Sequence, residues 1–123
     1  MKQPDAQDVK AFVPAKNFNE SLAFYQAMGW KLNWQNGGLA ELELAGCRFF
    51  LQDFYFKKLA ENFMLYINVN SAQAWWDHVS TVLEGGDYPT ARAQEPKHET
   101  YGATVTYVWD PSGVLLHFAE ILD

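Results

Sequence analysis

The chain repeats its own order of elements, and that repeat constrains its fold more than any single motif does. Alternation and helical periodicity along the 123 residues give a strand, a helix and three strands, and then the same series again. In the first half, Val9 to Pro14 alternates briefly and ends on a proline, which cannot donate to a ladder. Asn17 and Glu20 have capping-box spacing. Phe18, Leu22, Tyr25 and Met28 then fall on one helical face, with Gly29 where a C′ residue would sit. Trp30, Leu32 and Trp34 alternate with Lys31, Asn33 and Gln35, Asn36-Gly37-Gly38 is a hairpin turn that needs positive φ, and Leu39 to Leu44 pairs back across it. Ala45-Gly46 turns the chain into a further strand, Cys47 to Gln52.

Phe54 to Asn62 breaks the pattern with aromatic and charged residues and reads as a linker. Phe63 to Val69 is a strand with Phe63, Leu65, Ile67 and Val69 on one face and Met64, Tyr66 and Asn68 on the other. Ser71 caps a helix whose apolar stripe is Ala72, Trp75, Trp76, Val79, Val82 and Leu83, and Gly85-Gly86 ends it. A weak strand covers Tyr88 to Ala93. Ala103 to Trp109 and Val114 to Glu120 are strands joined by the turn Asp110-Pro111-Ser112-Gly113. Equivalent strand ends, Val13 and Val69, lie roughly 56 residues apart. The expectation is one α+β domain of two β-α-β-β-β modules, about 8–53 and 62–121, whose strands form a curved mixed sheet.

Composition excludes several function classes. Apolar residues at 49% and charged ones at 20% are those of a globular chain, while aromatics at 16% are in excess. Nine Lys and Arg against 15 Asp and Glu give a formal charge of -6, the wrong sign for a nucleic-acid partner. A single cysteine allows neither an intrachain disulfide nor a thiolate metal site, and Cys47 is expected as a buried structural thiol. No apolar stretch follows Lys2 and no run approaches a membrane span, so a soluble, cytoplasmic protein with no membrane partner is expected. Phosphate loops, nucleophile elbows and paired catalytic carboxylates at helix spacing are absent.

In each half alternation sends one strand face under the helix. The other face carries Phe12, Trp34, Gln52, Tyr66 and His117, a mixed polar and aromatic lining suited to a ligand. Trp30, Trp75 and Trp76 are expected in the core, Trp109 in a structural role and His78 on the solvated side of its helix. His98 lies in a loop near the cavity mouth. Trp34 serves either a pocket wall or a dimer contact. Lys10 at a first-strand cavity position needs a carboxylate or an anionic ligand, and Glu41 and Glu43 are either its partners or a cation-binding rim.

The chain resembles the vicinal-oxygen-chelate superfamily, which includes glyoxalases, extradiol dioxygenases and bleomycin-resistance proteins. The likeness is carried by Val9 to Pro14, by Ser21-Leu22-Ala23-Phe24-Tyr25 ahead of Met28-Gly29-Trp30, and by Trp109-Asp110-Pro111-Ser112-Gly113 with Val114 to Phe118. It implies paired β-α-β-β-β modules. It also places the metal slots of the superfamily's enzymes on Lys10, Gln52, Met64 and His117, of which only His117 is a good ligand. No metal, no cofactor and no catalytic residue is therefore expected. The nearest likeness is to the bleomycin-resistance branch, which implies a homodimer that sequesters a small aromatic or cationic ligand. Its ligand contacts fall on Trp34, Gln52, Tyr66 and Tyr101, with His117 as a polar residue in the cavity. The rival readings are a glyoxalase-like lyase or dioxygenase of the same superfamily, and an interaction module.

Overall fold

The computed structural model describes residues 2–122. Its elements run β1 (Phe12–Pro14), α1 (Phe18–Ala27), β2 (Lys31–Asn36), β3 (Leu39–Leu44), β4 (Cys47–Gln52), α2 (Lys57–Ala60), β5 (Met64–Asn68), α3 (Ala72–Gly85), β6 (Arg92–Ala93), β7 (Lys97–Glu99), β8 (Ala103–Trp109) and β9 (Leu115–Ile121). The strands form two mixed sheets with the same plan. The first has the order β1-β4-β3-β2, and the second the order β5-β9-β8-β6, with β7 also paired on β8. In each, the strand before the long helix lies parallel to the last strand, β1 on β4 and β5 on β9, while the other pairs are antiparallel.

Local sequence explains the boundaries. Asn17 is in extended conformation and its side chain accepts from the Glu20 N–H, and Ser71 does the same for Ala74, so both long helices start at a side-chain cap. The β2–β3 hairpin closes through two residues, and Gly37 at the first of them has φ +60, a left-handed value that an L side chain adopts with strain. Next to it, a Cβ on Gly38 would stand 2.8 Å from the Asp53 Cβ. Elements too short for periodicity depart from the sequence reading. The linker holds the single-turn helix α2, with Ala60 fully buried, and the weak strand reduces to Arg92–Ala93, followed by the three residues of β7. Val9 to Ala11 stand outside β1, and Val9 is 90% exposed.

One core joins the two halves. Tyr25, Met28, Trp30, Leu42, Phe49 and Leu51 of the first half share a buried cluster with Val79, Val108, Leu116 and Phe118 of the second. Helix α1 is buried on more than the expected stripe, because Phe24 packs edge-on to Tyr88 at 5.2 Å. On α3, Trp75 stacks on Phe118 at 4.4 Å with Val82 and Leu83 beside it, whereas Trp76 is half-buried outside this cluster. His78 is exposed, as its position on the helix implies, and its Nε2 also lies 2.9 Å from the Met28 carbonyl oxygen, which ties α3 to the end of α1. Cys47 corrects an expectation. It shares a face with Phe49 and Leu51 but stands at the strand end, past the packed core, and is exposed.

The tightest link between the halves is polar. Asp110, fully buried in the β8–β9 turn, accepts from the Tyr25 hydroxyl at 2.6 Å through Oδ2 and from the Ser112 and Val114 amides at 2.8 and 3.0 Å through Oδ1. Beside it the Ser112 hydroxyl accepts from the Lys16 amide at 2.8 Å and lies 3.2 Å from that of Ser21. Burial pushes the Asp110 carboxyl up to about 6, against the pull of these hydrogen bonds. The folded state therefore holds the proton more tightly than the unfolded chain does. Stability from this group is complete below pH 3.8, the ordinary value, and is lost as pH rises through about 6. Urea unfolding between pH 4 and 7 checks this: Asp110→Asn should flatten that slope. Tyr25→Phe, which leaves Oδ2 without its donor, should cost about 1–3 kcal/mol.

Candidate functional site

The sheet faces turned away from the helices carry two groups of aromatic side chains. On the first sheet, register places Phe12, Phe50, Glu41 and Trp34 side by side across all four strands. The Phe12 and Phe50 rings are 5.0 Å apart and those of Trp34 and Phe50 5.7 Å. Trp34 reaches this face because a bulge between Leu32 and Trp34 shifts the β2 register. Strict alternation puts Leu32 and Trp34 together; the bulge instead sets Leu32 opposite the buried Leu42 and leaves Trp34 42% exposed. Gln52 lies half-buried two residues along from Phe50, between Pro14 and Leu39.

Lys10 sits at the edge of this group, its Nζ 3.2 Å from Asp8, 3.8 Å from Glu41 and 5.7 Å from the Phe50 ring centre. Of its two expected carboxylate partners Glu41 serves, while Glu43 turns to Arg48 at 3.1 Å and to the Asn33 amide at 2.9 Å. These hydrogen bonds, Asn33 first and Arg48 next, hold the Glu43 carboxyl below its usual value.

The second sheet carries a row of its own, Tyr66, His117 and Tyr107 on adjacent strands. The His117 ring centre is 5.6 Å from that of Tyr66 and 5.0 Å from that of Tyr107. Tyr101, on the β7–β8 hairpin, brings its hydroxyl to 3.2 Å from that of Tyr66, and the Tyr107 hydroxyl donates to the Glu99 carboxylate. The hydrogen bond with Tyr66 pushes the Tyr101 phenol up to about 12, and burial followed by the Glu99 hydrogen bond does the same for Tyr107, so both stay neutral. Burial lowers the His117 imidazole. Its Nε2 lies 3.5 Å from the Met64 sulfur, and its buried Nδ1 has no partner among the described residues.

The structure thus brings Tyr66, Tyr101 and His117 together and leaves Trp34 and Gln52 on the other sheet, with no hydrogen bond, ion pair or ring contact between the groups among the described residues. Phe50, Glu99 and Tyr107 join the expected residues. Alternation along β8 marks Tyr107, but Glu99 depends on the two-stranded contact of β7 with β8, which no sequence period announces. His98, expected near a cavity mouth, spends its Nδ1 on the Thr104 hydroxyl at 3.1 Å. Trp109 has a structural partner in Arg92, whose guanidinium lies 3.7 Å from the ring centre. A cleft of about 580 Å³ lies between the β3–β4 turn and the start of α3, walled by Trp30, Cys47, Tyr66, Asn68 and Trp75.

The metal that the superfamily's enzymes hold does not fit these residues. Lys10 stands just ahead of β1 and Gln52 on β4, while Met64 and His117 pair across β5 and β9. The Lys10 ammonium is ion-paired, the Gln52 amide and Met64 thioether are poor ligands, and no three His, Cys, Asp or Glu side chains among the described residues are placed to hold an ion. No helix among the described residues is long and apolar enough to cross a membrane.

No family model and no curated protein sequence matches the chain. Solved structures do. A bleomycin resistance determinant encoded on the transposon Tn5 is similar with a TM-score of 0.78, over 94% of this chain and 98% of that one, at 19% identity. A bleomycin-binding protein from bleomycin-producing Streptomyces verticillus, solved with copper(II)-bleomycin, is similar with a TM-score of 0.78, over 94% and 97% of the two chains, at 15% identity. A lactoylglutathione lyase from Agrobacterium tumefaciens is similar with a TM-score of 0.65, over 94% and 95%, at 14% identity. The chain is built on the bleomycin-resistance fold, which glyoxalase-like proteins share.

Proposed function

We propose that the chain belongs to the bleomycin-resistance branch of the vicinal-oxygen-chelate superfamily and works as a metal-free binding protein that sequesters a small, aromatic, cationic compound. The observation that carries this reading is the row of exposed Tyr66 beside half-buried His117 and Tyr107, with Tyr101 reaching over it and Glu99 at its side. Rings offer stacking and cation-π attraction to a flat cation, and the charge of -6 raises its local concentration. Exposed aromatic residues on both sheets that do not meet within one chain favour a homodimer. Pairing of two copies would set the first sheet of one against the second sheet of the other, so that Trp34 and Gln52 complete a groove begun by Tyr66, Tyr101 and His117.

A second reading, an enzyme of the same superfamily, is favoured by one feature: an imidazole held below its ordinary value with an unpartnered Nδ1. Such a group accepts a proton without a metal. Bound metal in stoichiometric amount after purification without added metal would argue instead for a lyase or dioxygenase whose ligands lie elsewhere.

Titration of tryptophan and tyrosine fluorescence with metal-free bleomycin, on protein stripped by chelator, tests the proposal. Saturable quenching at one ligand per chain is expected. Tyr66→Ala combined with Tyr101→Ala should weaken binding by about tenfold or more, at ~1 kcal/mol for each lost ring, with folding intact. Affinity unchanged by the double substitution would remove this site assignment. Light scattering at micromolar concentration should give a dimer; a monomer would undo the groove between copies.

A further inference from the structure

We propose that Glu99, Tyr66, Tyr101 and Tyr107 form a receptor for one organic ammonium group, with Glu99 as its counter-ion and selectivity determinant. The proposal rests on the reading of this face as a ligand surface and names the chemical group that it takes. Its physical basis begins with what these side chains cover. Ala103, Val105 and Ala119, all fully buried, form with Tyr107 a small cluster separate from the main core. Register puts Val105 opposite Ala119, and Ala103 opposite Glu99, on the same sheet face as Tyr107 and His117. Full burial of the three small side chains leaves Tyr66 and Tyr101, 47% and 61% exposed, as the rings a ligand can reach on this face.

Polar groups stand around these rings in one arrangement. Glu99 extends from the Ala103 row to the Tyr107 hydroxyl, and Tyr101, 61% exposed, reaches the Tyr66 hydroxyl from the hairpin. Exposed tyrosine rings with a single carboxylate beside them suit an alkylated ammonium, which needs both ring faces and a counter-charge. A metal ion would find one carboxylate where it requires several donors. An anion would be repelled by Glu99.

The neighbouring cations leave the place open. Lys97 lies 3.7 Å from Glu99 but its side chain is 70% exposed, and a surface pair of this kind contributes about 0–1 kcal/mol, little enough for a ligand to displace. Arg92, on the outer edge of the sheet, is stacked on Trp109. His117, held below its ordinary value by burial, brings no positive charge at neutral pH.

The test is a pair of NMR titrations of the whole chain with choline and with its neutral isostere 3,3-dimethylbutan-1-ol. Choline should move the Tyr66, Tyr101 and Tyr107 resonances saturably, and the alcohol should bind about tenfold more weakly. Glu99→Gln, which keeps an acceptor for the Tyr107 hydroxyl, should reduce choline affinity about tenfold with an unchanged circular dichroism spectrum. Lys97→Ala, at an exposed position, removes the competing ammonium and should tighten choline binding ~2-fold, which tests the same assignment should Glu99→Gln fail to fold. Absence of choline binding, equal binding of the two probes, or a choline affinity untouched by Glu99→Gln would overturn the proposal. Running Glu99→Gln in the drug titration separates it from the broader reading. Drug affinity undiminished in that variant overturns the ammonium assignment and leaves sequestration standing, whereas choline binding that depends on Glu99 in a chain that ignores the drug supports the assignment and removes the drug.

Discussion

The buried carboxylate of Asp110 is the constraint on which the arrangement of the two halves depends. A carboxylate without water is costly unless its oxygens are satisfied. Here the turn's own amides serve Oδ1 and the Tyr25 hydroxyl, 85 residues away in the chain, serves Oδ2. The turn can hold the group in the interior only while α1 is seated against it, and α1 can bury Tyr25 only while the phenol has an acceptor. Gly113, at φ +93, allows the turn to curl its amides inward. Among the described residues no ladder joins the two sheets, and this contact helps fix them to one another within the shared apolar core.

That arrangement leaves each sheet with one face under helices and main core, and the other face only partly packed, by the small Ala103, Val105 and Ala119 cluster on the second sheet. Ring-rich rows at these faces are not fully covered: Trp34 and Tyr66 remain exposed, and Phe12 is half in solvent. Charge divides between the faces as well. The first sheet brings a cation to its rings in Lys10, neutralised by Asp8 and Glu41. The second brings an anion, Glu99, with only a loosely held lysine beside it. The two surfaces are alike in aromatic character and opposite in the sign of the charge that approaches them.

Much of this was legible in the sequence because it is written in local chemistry. Asn17 and Ser71 cap their helices, Gly37 turns the hairpin, and alternation along Met64 to Asn68 sorts core from face correctly. What escaped is what local pattern does not encode. A bulged residue at Asn33 reverses the parity of β2, so Leu32 turns to the core while Trp34 keeps the ligand face beside Phe50 and Phe12. Cys47 has the parity of a core residue and lies beyond the core's edge. His78 is exposed as its helix position implies, but its contact with a carbonyl fifty residues away in the chain has no local signal. The site was half legible for the same reason. Tyr66, Tyr101 and His117 converge, while Glu99 enters through a three-residue strand visible only from its pairing.

The parallel pairing of β1 with β4 and of β5 with β9 bears on how the chain reaches this state. The strands β2, β3 and β4 follow one another through tight turns and can zip up locally, whereas Phe12 must find Phe50, and Tyr66 must find His117, across most of a module. Loop closure of that length is slow compared with hairpin formation. Until it happens β4 and β9 each present an unpaired edge, and the Asp110 carboxyl, whose partner lies in the other half, stays hydrated. The Tyr25–Asp110 hydrogen bond and the apolar core shared by both modules mean that opening either half strips the other of partners, despite their repeated plan.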